Sequence, residues 1–86
     1  MMILQRNTEK YKLKYMLSEK GSDFVLSVEK DDDKTKQIRS FLVKTSRNEC
    51  ECMIRKLCSC RVTPVSVEYI LQDSGIYYEE LVLTDV

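Results

Sequence analysis

The chain's 86 residues, 43% of them apolar and 33% charged, provide for one packed domain over residues 1–86 and exclude a two-domain enzyme. Its 14 basic and 14 acidic side chains cancel to a formal net charge of zero, so no overall charge draws it to nucleic acid or membrane. There is no histidine, which removes the usual base from any serine or cysteine nucleophile. The two signs are unevenly spread: residues 1–48 carry +4, residues 49–86 carry −4, and nothing basic follows Arg61. An acidic C-terminal end repels phosphate, so any DNA contact falls to the N-terminal half.

The apolar run Met1–Leu4 is too short for a secretory signal, and no stretch approaches the length of a membrane helix. The expectation is a cytoplasmic protein with reduced cysteines. Tyr11, Leu13, Tyr15 and Leu17 alternate with polar neighbours and predict a half-buried strand. Turn residues at 19–23 precede a second alternating run, Phe24, Leu26 and Val28, which completes a hairpin. The aspartate-rich stretch 30–34 is too polar to bury and leads to a third strand through Ile38, Phe41, Leu42 and Val43.

At Ser46 the period changes to 3.6. Ser46 and Glu49 fit a capping box, and Cys50, Met53, Ile54, Leu57, Cys58 and Cys60 form one apolar arc of a helix. Thr63-Pro64 opens a second helix with Val67, Ile70 and Leu71 inward, and Gly75 ends it. Residues 76–86 fit either a short helical turn or a last strand, with the tyrosines favouring strand. The expected fold is α+β: a three-stranded antiparallel meander followed by two helices (β-β-β-α-α), with a short C-terminal element.

Cys50-x-Cys52 and Cys58-x-Cys60 have the short spacing of zinc ligands, but a helix holds the two pairs about 12 Å apart. Cys50, Cys58 and Cys60 are therefore read as packing thiols, with Cys52 off the stripe. No metal, cofactor or catalytic residue is expected. Lys10, Lys12 and Lys14 with Lys36 and Arg39 form a candidate nucleic-acid-binding strand face, against which stands the ordinary use of lysine to keep edge strands soluble. Val65 and Tyr69 lie off the core stripe of the second helix and, with Tyr77 and Tyr78, form the candidate protein-binding surface. The competing expectation is that the C-terminal tail folds over Val65 and Tyr69.

The order Tyr11-x-Leu13-x-Tyr15, a strand at Phe24 to Val28, a third strand, a helix ending near Cys60 and Val62-Thr63-Pro64 opening another resembles a family of small clostridial spore-former proteins, a domain of unknown function. The resemblance covers about residues 10–74. It implies service to a mobile element, most concretely as a recombination directionality factor that binds a large serine recombinase and favours excision. The expected partner is thus a protein, with weak or no direct DNA binding and no membrane. A DNA-binding regulator using the basic strand face is the alternative.

Overall fold

The computed structural model describes residues 2–81. Its elements are β1 (Met2–Asn7), β2 (Lys12–Lys20), β3 (Asp23–Asp31), β4 (Lys36–Lys44), α1 (Arg47–Ser59), α2 (Pro64–Ser74) and β5 (Tyr77–Leu81). The five strands form one antiparallel sheet in the order β1-β2-β3-β4-β5. This corrects the expected three-stranded meander. β1 adds a strand before the predicted first one, and β5, the strand alternative at 76–86, pairs with β4; residues 82–86 of that stretch lie outside the described residues.

Each turn has a local chemical cause. Between β1 and β2 the Thr8 hydroxyl accepts from the Tyr11 amide at 3.1 Å and lies 3.0 Å from its carbonyl. Gly21 at φ 63° turns β2 into β3, a conformation that costs glycine little. Asp32 closes the β3–β4 turn by accepting from the Lys34 and Thr35 amides at 2.8 and 2.6 Å. Those amides hold its carboxyl below the usual aspartate range.

Both helices lie on one face of the sheet. α1 packs chiefly on β2, with β1 and β3 at its flanks, and α2 packs on β3 and β4. Between the layers lie Leu13, Tyr15 and Leu17 of β2, Leu26 and Val28 of β3, and Phe41 and Val43 of β4. They meet Met53, Ile54 and Leu57 of α1 and Val67 and Leu71 of α2. A fully buried side chain of this kind contributes about 1.5 to 3 kcal/mol, so the layer contact dominates stability. The Tyr15 hydroxyl crosses the layer and donates to the Val62 carbonyl at 2.8 Å.

The helix ends agree in part with expectation. The Ser46 side chain accepts from the Glu49 amide, but the Glu49 carboxylate turns to the Thr45 hydroxyl and does not complete the box. α1 stops with Arg61 at φ 53°, its amide bonded to the Cys58 carbonyl and that of Val62 to the Leu57 carbonyl. Arg61 thus occupies the left-handed position usually taken by glycine. This ending also corrects Cys60, which is the exposed C-cap residue and not part of the core; Cys50 is buried and Cys58 half-buried. Gly75 ends α2 at φ 73°, as its sequence position predicts.

Candidate functional site

With both helices on one side, no described residue outside the sheet covers its other face. Strand alternation assigns to it Ile3 and Gln5 of β1, Lys12, Lys14, Met16 and Ser18 of β2, Val25, Ser27, Glu29 and Asp31 of β3, Lys36, Ile38, Ser40, Leu42 and Lys44 of β4, and Tyr77, Glu79 and Leu81 of β5. The register orders them. One row runs Ile3, Met16, Ser27, Ser40, Leu81 across all five strands, flanked by a row with Val25 beside Leu42 and a row ending in Ile38. The Ser27 and Ser40 hydroxyls are 2.8 Å apart and satisfy one another. These short side chains occupy the middle, with Met16, Val25, Ile38 and Leu42 standing around them.

Most of the charge on this face lies towards its two ends and is neutralised sideways, while Glu79 stands beside Leu42 next to the central row. Lys12 and Lys36 both oppose Asp31, Lys14 opposes Glu29, and the Lys36 ammonium lies 3.1 Å from Glu29. At the other end Lys20 opposes Asp23, and the Lys44 ammonium sits 5.5 Å from the Tyr77 ring centroid. An acidic strand between basic ones gives phosphate no continuous positive track.

Of the predicted nucleic-acid residues, Lys12, Lys14 and Lys36 share this face. Lys10 lies in the turn before β2. Arg39 points the other way, between the sheet and α2. Its guanidinium grips both carboxylate oxygens of Glu80, one at 2.7 Å and the other at 2.5 Å, and reaches Glu68 at 3.4 Å and the Pro64 carbonyl at 3.3 Å. The paired carboxylate raises the arginine's pKa and, reciprocally, the guanidinium holds Glu80 below the usual glutamate range.

The four predicted protein-binding residues do not form one patch. Val65 and Tyr69 stand on the outer side of α2, 61% and 66% exposed, with no tail over them among the described residues. Tyr77 projects from the uncovered sheet face. Its neighbour Tyr78 faces inward, edge-on to Phe41 at 5.9 Å between ring centroids, and its hydroxyl donates to Glu68 and accepts from Gln72. Among the described residues five large apolar side chains are notably exposed, and three of them, Ile3, Ile38 and Tyr77, belong to the sheet face. Sequence reasoning read that face as a basic one through Lys12, Lys14 and Lys36 and missed its apolar side chains, because Ile3 lies on an unpredicted strand; the Met16, Val25 and Leu42 alternation was the signal available.

The buried ionisable groups are poorly suited to chemistry. Burial pushes the Cys50 thiol up, with Glu49 and Glu51 adding to the effect, and burial likewise raises the Tyr15 phenol. Both shifts disfavour the reactive anion. Among the described residues no group of three or more His, Cys, Asp or Glu side chains is placed to hold a metal ion, and no helix is long and apolar enough to cross a membrane. No family model, curated protein or solved structure matches the chain.

Proposed function

We propose that this protein is a non-enzymatic binding module that recognises another protein through the uncovered face of its sheet. The observation that carries the reading is the layout of that face: Met16, Val25, Ile38 and Leu42 ring a self-satisfied Ser27–Ser40 pair, and the lysines around them are mostly neutralised by Asp31 and Glu29, with Glu79 beside Leu42. An apolar centre with a polar rim is the general anatomy of protein interfaces. The balanced rim selects a partner by shape and apolar contact more than by charge, and for the same reason DNA is the weaker reading. The serine recombinase implied by the family resemblance is a named candidate for the partner and rests on that resemblance.

A photo-crosslinking side chain placed at Ile38, and separately at Tyr69, tests the reading in cells that make the protein. The Ile38 position should join one discrete polypeptide, and Leu42→Lys in the same chain should abolish the product. Crosslinking from Tyr69 alone would move the interface to the outer side of α2, where Val65 and Tyr69 form the second exposed patch. Recovery of a serine recombinase would identify the partner.

A further inference from the structure

We propose that two copies of this chain join edge to edge through β1, antiparallel, about a two-fold axis passing at Leu4, so that two five-stranded sheets become one of ten strands. β1 is an outer strand of the described sheet, and its free side offers backbone amides and carbonyls that an extended strand satisfies. The other outer strand, β5, is protected. Two copies of β5 centred on Glu79 would set carboxylate against carboxylate, and like charges directly opposite are repulsive.

β1 has no such guard. Met2-Ile3-Leu4-Gln5 contains neither charge nor proline, and the strand pairs with β2 through six residues without a bulge. Its one charge, Arg6, is turned back over the sheet, with Nε donating to the Cys58 carbonyl at 3.2 Å near the end of α1. An isologous pairing puts residues of the same face opposite each other. With the axis at Leu4, Leu4 meets the partner's Leu4 and Met2 meets the partner's Arg6 on the helix side, while Ile3 meets the partner's Gln5 on the open side. No like charges meet.

The helices permit the approach. α1 lies mainly above β2, one strand in from the edge. The two α1 helices would be separated by three strand spacings, about 14 Å, beyond the roughly 8 to 10 Å of helices in contact. The second copy is favoured over an unrelated strand because the same six residues supply both sides of the match.

Sedimentation equilibrium of the full chain tests this, at about 0.2 mM so that even a weak dimer is populated. The expected mass is twice that of the chain. Ile3→Lys with Gln5→Lys places lysine opposite lysine twice and should give the single-chain mass. Ile3→Lys with Gln5→Glu places lysine opposite glutamate in the same register and should restore the doubled mass. Both changes sit on the open face, where Ile3 is half exposed, so circular dichroism should remain native. Ile38→Lys, also on that face but remote from β1, should leave the dimer intact. A single-chain mass for the unaltered protein, a dimer indifferent to the double lysine variant, or failure of the lysine–glutamate variant to restore it would each overturn the proposal.

Discussion

The Arg39 guanidinium and the Glu80 carboxylate meet two-to-two across β4 and β5, and the same guanidinium reaches the Pro64 carbonyl at the start of α2. One side chain therefore ties the last strand and the second helix to the sheet. Because Glu80 is held below its ordinary pKa of 4.5, its contribution is complete above that value and is lost as pH falls below it. Arg39→Ala should cost about 1 to 2 kcal/mol at neutral pH, a discounted figure because the pair is partly solvated. The cost should shrink as pH falls below 4.5 to the part carried by the bond to the Pro64 carbonyl, as urea titrations of both proteins at several pH values would show.

Tyr15 and Val62 provide a second test. Removing the hydroxyl with Tyr15→Phe leaves the Val62 carbonyl without its 2.8 Å donor in a buried site. The expected loss is about 1 kcal/mol, or roughly 4 to 8 °C in Tm for a domain of this size. Burial raises the phenol above its ordinary value of 10.0, so the folded state keeps its proton more tightly than the unfolded one. Stability from this group is present below pH 10 and lost above it; ionisation of Tyr15 should coincide with loss of circular dichroism on alkaline titration.

Arg61 should be improvable. Its φ of 53° forces a side chain into the left-handed region at the end of α1, where glycine is at ease. Arg61→Gly should raise stability by about 0.5 to 1 kcal/mol, seen as a higher Tm. An unchanged or lower Tm would show that the arginine side chain compensates for its backbone.

The four thiols should separate by reactivity. Cys52 and Cys60 are exposed, Cys58 is half-buried and Cys50 is buried, with its thiol further protected by a raised pKa. A disulfide reagent should modify two cysteines quickly, a third slowly and Cys50 only on global unfolding. A chelator should leave the thermal melt unchanged, and one zinc per chain by metal analysis would contradict this arrangement.

Much of the framework follows from periodicity, and the departures have identifiable causes. β2 and β3 alternate cleanly because one face is buried and the other is not. β1 gives no such signal: Met2, Ile3 and Leu4 are all apolar, so both faces of the strand read alike. In β5 the sequence Tyr-Tyr-Glu-Glu also hides the period. Glu80 takes an inward position because Arg39 waits there, and that partnership across 41 residues is invisible locally. The candidate residues show the same limit: Val65 and Tyr69 were legible as off-stripe positions, whereas neighbours Tyr77 and Tyr78 part to opposite faces only once their segment is a strand.

The placing of both helices between β4 and β5 sets an order of assembly. The first four strands close over turns of two to four residues, so each hairpin can form from contacts local in the chain. β5 alone must wait for α1 and α2 to be in place before Tyr77 finds Lys44. It is therefore the last strand to arrive and the first to peel away, and amide exchange in native conditions would begin there while the β2–β3 ladder still held its protons.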